Sequence, residues 1–320
     1  MSVWLFILLA VAVLLLFSGG YVLLIACGRR SGVDWLDEKA MQKSNNAHLY
    51  PYIAASKRWL KDQNAQAVYT TAVDGVKLHA LWIPVENSKG TVLMAHGYRS
   101  TMLLDFHLGF ELFHRLGMNI LVPEQRTHGE SGDRFITFGV KESCDMQRWI
   151  AFHNMHLSDA PMILYGMSMG ASTMLYLADR VLPDNVKGII ADCGFTSPKE
   201  IISRVYKRAL RLPAEPSVSI ASVLAKIFAG FGFSECDTRR SLRKSRLPVL
   251  MIHGQADSFV PCEMSEQGYQ VCTSKKQLLI VPDAEHGVSF LADGFRYTAA
   301  VIDFMKETIP GFQSPEKESE

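Results

Sequence analysis

The chain has 320 residues, 48% hydrophobic and 20% charged, and its 33 basic and 32 acidic side chains leave a net charge of +1. That balance argues against nucleic-acid binding, which draws on a basic excess, and the apolar content argues against disorder. The length suffices to bury a sizeable core. The mean hydropathy of +0.08 is high for a soluble enzyme. The excess sits at the start, where 23 of the first 27 residues are hydrophobic.

Residues 3–27 carry no charged side chain. A run of that length matches the roughly 20 apolar residues that cross a bilayer as a helix. Residues 1–30 are therefore expected to form a transmembrane anchor, with residues 3–27 in contact with the lipid bilayer. A cleaved signal peptide is disfavoured, because no Lys or Arg precedes the run. Leu24-Ile25-Ala26-Cys27 looks like a bacterial lipobox, which makes lipoprotein-type export the alternative. Arg29, Arg30, Lys39 and Lys43 follow the run, and the positive-inside rule then puts the body of the protein in the cytoplasm. The six cysteines form neither a C-x-x-C pair nor a metal-ligand spacing. They read as free thiols in a reducing compartment.

Residues 31–66 read as a juxtamembrane segment. Its Trp35, Leu36, Tyr50, Tyr52, Trp59 and Leu60 either sit at the lipid interface or pack on the domain. The main domain is expected over residues 67–312. Runs at 68–73 and 76–83 flank Asp74-Gly75, a hairpin signal. Strands are expected at 91–95, 119–122, 162–165, 186–191, 248–252 and 277–281. Helices are expected at 103–116, 140–156, 171–180, 262–272 and 288–309. Short apolar runs separated by helices indicate an α/β fold, a mostly parallel sheet covered on both faces. Residues 195–246 are too long for a simple connection. They carry helical patterns at 199–212 and 218–231 and read as a helical cap. Residues 313–320 form a polar tail.

Gly166-Met167-Ser168-Met169-Gly170 follows an expected strand and opens an expected helix, the setting of a G-x-S-x-G nucleophile elbow. Gly166 and Gly170 flank the serine where side chains would collide with backbone. An alcohol needs a base in hydrogen-bond reach, and that base needs an orienting acid. The chain order for this elbow is Ser, acid, His. Only His253 and His286 follow Ser168. His286, in the loop before the last helix, is assigned as the base, and His253 as a structural turn residue. Asp257, four residues past His253, is the expected acid, with Asp192 as the alternative. The oxyanion hole is assigned to the backbone N–H groups of Met169 and Tyr98. His96 is read as a packed residue orienting the Tyr98 loop.

On the cap, Ile201, Ile202, Val205, Ala209 and Leu212 form an apolar stripe. Arg204, Lys207, Arg208 and Arg211 form a basic face, either solvated or turned to anionic lipid or a substrate carboxylate. Phe228, Phe231 and Phe233 either line an acyl pocket or pack in the core.

With these motifs in order, the chain resembles the α/β-hydrolase superfamily over residues 67–309. It looks most like membrane-anchored or cytoplasmic serine hydrolases related to the prolyl-oligopeptidase and serine-aminopeptidase groups. The resemblance rests on Asp74-Gly75-Val76-Lys77-Leu78, His96-Gly97-Tyr98, Gln125-Arg126-Thr127-His128-Gly129-Glu130-Ser131, the elbow, His253-Gly254 with Asp257 and Val260-Pro261, and the His286 loop. The family often has Asp where this chain has Glu124 or Gln125, and Arg126, His128 and Ser131 are read as structural. Serine at the elbow sets the chain apart from relatives of this fold that use Asp or Cys there. The resemblance implies an acyl-enzyme on Ser168, with no metal and no organic cofactor. The expected activity is hydrolysis of a carboxylic ester, an acyl lipid or small acyl ester. A peptidase acting on peptide amides and a non-catalytic binding protein are the alternatives.

Overall fold

The computed structural model describes residues 3–29 and 47–314. Eight strands form one sheet: β1 (Gln66–Thr71), β2 (Lys77–Ile83), β3 (Gly90–Ala95), β4 (Met118–Glu124), β5 (Met162–Met167), β6 (Val186–Asp192), β7 (Val249–Gly254) and β8 (Lys276–Val281). Their spatial order is β1-β2-β4-β3-β5-β6-β7-β8. The hairpin strands β1 and β2 pair antiparallel, and β2 joins β4 antiparallel. The remaining pairs, from β4–β3 through β7–β8, are parallel. The hairpin turns at Gly75, whose φ of +84° suits a residue without Cβ.

The helices are α1 (Val3–Cys27), α2 (Tyr50–Asp62), α3 (Met102–Asp105), α4 (Gly109–Arg115), α5 (Val140–His156), α6 (Met169–Leu175), α7 (Pro198–Leu210), α8 (Ser217–Ala229), α9 (Thr238–Leu242), α10 (Glu263–Val271), α11 (Ser289–Ala292) and α12 (Gly294–Thr308). Successive strand residues point to opposite faces, and both faces are covered. Val92, Ile163, Ile190 and Leu250 pack with Phe110 and Phe113 of α4 and Val301 and Phe304 of α12. Their neighbours Leu93, Leu164, Ile189 and Met251 pack with Trp149 of α5, Met174 of α6 and Leu242 of α9. This two-sided burial explains why the strands read as continuous apolar runs.

Two expected helices are broken. The pattern over 103–116 divides into α3 and α4, because Asp105 turns its carboxylate back to Gly97 and Ser100. The pattern over 288–309 divides into α11 and α12 at Asp293, whose side chain caps α12 by accepting from the Arg296 N–H. The expected 171–180 helix begins earlier and ends sooner, as α6. In the juxtamembrane segment, Trp59 and Leu60 of α2 pack on the α4 side of the core. Arg30, Trp35, Leu36, Lys39 and Lys43, with residues 315–320 of the tail, lie outside the described residues.

The segment expected as a cap carries α7 and α8, followed by α9 on the sheet, and α1 is long and apolar enough to cross a membrane. It does not stand apart from the domain. Val22, Leu23 and Cys27 are buried with Val218, Ala221 and Ala225 of α8. A Cβ on Gly19 would lie 2.4 Å from the Ile220 side chain, so glycine permits the close crossing. Ser18 and Ser217 hydroxyls meet at 3.0 Å. Beyond the helix, Ile136 N–H donates to the Cys27 carbonyl at 2.7 Å. Arg29 donates to the carbonyls of Gly129 at 2.8 Å and Ser131 at 3.0 Å. The cation that suggested orientation from sequence therefore also clamps α1 to the body.

Candidate active site

β5 delivers the chain into the turn that carries Ser168. Ser168 has φ 54° and ψ −115°, a costly conformation for a residue with Cβ. A Cβ on Gly170 would sit 1.7 Å from the Ala95 carbonyl oxygen, and one on Gly166 would sit 2.2 Å from that of Gly170. The elbow glycines thus reflect backbone crossing backbone. Ser168 N–H donates to Asp192 O at 2.8 Å, which ties the turn to the end of β6.

The three residues expected to act together are brought together. His286 Nε2 lies 2.9 Å from Ser168 Oγ, and His286 Nδ1 lies 2.6 Å from Asp257 Oδ2. An ionised carboxylate only accepts, so Nδ1 carries the proton and Nε2 faces the serine as acceptor. Asp257 Oδ1 accepts the N–H groups of Phe259 at 2.9 Å and Val260 at 2.8 Å. Burial works against its charge, but contacts with His253 and His286 outweigh it and hold the carboxyl well below the usual carboxylate range. His253 has the structural role expected of it. Its Nδ1 meets Ser265 Oγ at 2.6 Å and its Nε2 meets Val260 O at 2.9 Å, while lying 3.2 Å from Asp257 Oδ2.

Asp192, the alternative acid, is placed otherwise. Tyr297 OH donates to its Oδ2 at 3.0 Å. Its Oδ1 is buried without a hydrogen-bond partner among the described residues. Burial pushes its carboxyl up to about 6.

The loop after β3 approaches the serine from the other side. A Cβ on Gly97 would lie 3.3 Å from Ser168 Cβ. His96 holds this loop, as expected: Gln125 N–H donates to its Nε2 at 3.0 Å, and its Nδ1 donates to Gly97 O at 2.9 Å. Burial, then the neighbouring His128, lowers its pKa to about 3, so the ring stays neutral. Met169 is the first residue of α6, so its N–H has no carbonyl partner within the helix. Tyr98 turns its hydroxyl to the Ala26 carbonyl at 2.7 Å, and its ring stacks on Phe138.

One contributor escaped the sequence reading. Asp105 accepts the Gly97 N–H at 2.5 Å through Oδ2 and the Ser100 hydroxyl at 2.5 Å through Oδ1. Burial pushes this carboxyl up to about 6 in spite of those bonds. An acid set between Leu103, Leu104 and Phe106 was the available signal. Arg126 is structural, as expected: it is buried and paired with Asp74, Asp133 and Asp145 at 3.0, 2.8 and 2.7 Å.

Ser168 opens into an apolar cavity of about 300 Å³. Ile201, Ile202, Val205 and Ala209 of α7 line it, while Leu212 is exposed beyond the helix. The phenylalanines expected as pocket candidates are not its lining. Phe231 and Phe233 are fully buried against each other in the core beneath the cap, and Phe228 is 66% exposed on α8. Docking of α8 on α1 fixes that orientation. Phe138, Phe195 and Phe259 line the cavity instead. Two members of the basic face, Arg204 and Arg208, donate to the carbonyls of Ser258 and Phe259 and so hold the Asp257 loop.

Donor atoms of Cys193, Asp257 and His286 lie within 4.8 Å of one another. Burial pushes the Cys193 thiol far up, away from the thiolate that binds metal. Asp257 and His286 already face each other and Ser168. The arrangement suits proton transfer better than metal ligation.

The family model described as alpha/beta hydrolase fold matches residues 90–217. Protein YqkD of Bacillus subtilis is 27% identical over 232 residues, covering 72% of this chain and 76% of that protein. Membrane protein YNL320W of Saccharomyces cerevisiae is 26% identical, covering 73% of this chain and 77% of that protein. The structure of the esterase Pf2001 of Pyrococcus furiosus superposes with a TM-score of 0.63 at 23% identity, over 77% of this chain and 93% of that one. The matched family model and the superposition show that the chain has the α/β-hydrolase fold.

Proposed function

We propose that this protein is a membrane-anchored serine hydrolase that cleaves carboxylic esters of apolar acyl groups. The observation that carries the reading is the hydrogen-bonded chain Ser168–His286–Asp257 opening into an apolar cavity. Ser168 Oγ attacks the ester carbonyl as His286 Nε2 takes its proton. Asp257 keeps the imidazole in the required tautomer and stabilises the imidazolium. The N–H groups of Met169 and Tyr98 receive the oxyanion. His286 returns the proton to the leaving alkoxide, and a water activated the same way releases the carboxylic acid. Among the described residues no carboxylate lines the cavity, which favours an acyl chain over the charged amino terminus of a peptide.

The anchor reading is supported by the length and apolarity of α1. Burial of Cys27, whose carbonyl is bonded to Ile136, supports retention of α1 over lipid modification at that thiol. Arg29 beside the helix end supports a cytoplasmic body. Fluorophosphonate labelling tests the chemistry: intact protein labels and Ser168→Ala does not. Failure of the intact protein to label, or labelling of Ser168→Ala, would sink the assignment. A C-terminal reporter should read cytoplasmic, and an external signal would reverse the topology.

A further inference from the structure

Beside Phe138, Phe195 and Phe259, two walls of the apolar cavity differ in origin. One is α7 of the cap. The other is α1, through Tyr21, Val22, Ile25 and Ala26. A tether alone needs no side chain at a catalytic pocket. These residues are held in register from both sides: Ser18 on Ser217 before them, and Arg29 on the Gly129 and Ser131 carbonyls after them. Between these points Arg99 donates to the Ile25 carbonyl at 2.7 Å and the Gly28 carbonyl at 3.0 Å.

Length sets the depth of this wall. A hydrocarbon layer of ~30 Å takes about 20 helical residues at 1.5 Å each. The stretch from Val3 to Phe17, ahead of the Ser18–Ser217 hydrogen bond, spans roughly 22 Å at that rise. A crossing therefore reaches to about Val22, where the cavity wall has begun. The rim is apolar and open there: Tyr21 is 58% exposed, Ile25 41% and Leu210 44%. Phe228 and Ile227 of α8, which packs on α1, are also exposed. An apolar rim joined to a spanning helix meets acyl chains without passing through water.

We infer that α1 is one wall of the acyl pocket, and that the pocket takes the acyl chain of a bilayer lipid arriving along Tyr21 and Ile25 from the leaflet next to the body of the protein. The inference rests on Ser168 as nucleophile for its chemistry, but on α1 alone for its selectivity. Tyr21, Val22, Ile25 and Ala26 are then specificity-determining residues. Each methylene buried against them raises affinity about fourfold.

The test uses the full chain in phosphatidylcholine vesicles. Ile25→Trp should lower the ratio of decanoate to acetate p-nitrophenyl ester kcat/KM at least tenfold. Ile25→Ala should move the preferred chain length upward. Leu8→Phe, on the exposed outer part of α1, should leave the ratio unchanged. If neither Ile25 variant alters the ratio, α1 is not a wall.

Binding of a fluorescent C11 fatty acid in the Ser168→Ala background separates this from the hydrolase reading. Weaker binding on adding Ile25→Trp upholds the wall even if no ester is cleaved, and unchanged binding overturns it. For the route, a fluorogenic oleate ester in the same vesicles as the protein should be cleaved at least tenfold faster than one supplied in separate vesicles. Equal rates would overturn entry from the bilayer.

Discussion

Asp257 and Asp192 lie at the ends of neighbouring parallel strands, both almost fully buried, yet their carboxyl groups are driven in opposite directions. Asp257 receives two backbone N–H groups and faces two imidazoles, and it is held ionised. Asp192 receives one tyrosine hydroxyl, and burial pushes it up to about 6. Asp192 is the more deeply buried of the two and has fewer donors, so desolvation and the missing hydrogen bonds both push it up, while the donors around Asp257 outweigh its burial. A carboxylate that must stabilise an imidazolium belongs at the first position. The second resembles a buried polar strut.

The most severe break of this comparison is Asp257→Asn, which offers His286 Nδ1 an amide and permits the wrong tautomer. The kcat for a p-nitrophenyl ester should fall about 10⁴-fold with the variant still folded by circular dichroism. A full rate in Asp257→Asn together with a collapse in Asp192→Asn would transfer the role of acid. Next comes the imidazole that supports Asp257 from behind. His253→Leu removes the nitrogen 3.2 Å from Asp257 Oδ2, and kcat should drop roughly tenfold with KM nearly constant, the pattern of a lost transition-state interaction. An equal change in KM alone would show that His253 shapes binding and does not tune the acid.

Asp192→Asn sharpens the contrast from the other side. Its folded pKa of about 6 lies above the ~3.9 of an unfolded aspartate. The folded state therefore binds more protons between those values, and stability falls as pH rises from ~4 to 6. Asparagine keeps an oxygen for Tyr297 and cannot ionise. The variant should melt a few degrees above the parent at pH 7.5, with the gain gone near pH 4. Its esterase rate should stay within about threefold of the parent. A gain independent of pH would mean that Asp192 is not ionising at a cost.

The contrast also marks what could be read from the chain. The Ser168 elbow was legible because three local constraints coincide there: a strand before it, a helix after it, and glycines where backbones cross at Ala95 and Gly170. The positions of His286 and Asp257 followed from chain order and strand ends. Asp105 was not legible, since its partners Gly97 and Ser100 meet it only through a break in a helix that its own neighbours predict as continuous. Phe231 and Phe233 take the core reading of the two that the sequence left open, and only Phe228 fits neither. Phe228 points outward because α8 packs on α1, a contact between segments about 200 residues apart that leaves no periodic trace. Apolarity alone marked α1 as a span, and the same apolarity hid its four residues at the cavity.

The mildest test concerns what keeps the Asp257 loop in place. Arg208 donates to the Ser258 carbonyl at 2.8 Å, and Arg204 reaches the Ser258 and Phe259 carbonyls at 3.4 and 3.3 Å. Both guanidinium groups are exposed, so solvent competes for each bond and the pair contributes under ~1 kcal/mol. Replacing both with Met keeps the apolar stems over the cap and removes the donors. The double variant should lose two- to threefold in kcat and melt about 1–2 °C lower. The loss should be the same for short and long esters, because the clamp acts on the acid loop and not on the acyl wall. A loss that grows with chain length would place these arginines at the cavity mouth, and a tenfold uniform loss would make the cap, not the two backbone N–H groups of Phe259 and Val260, the element that fixes Asp257.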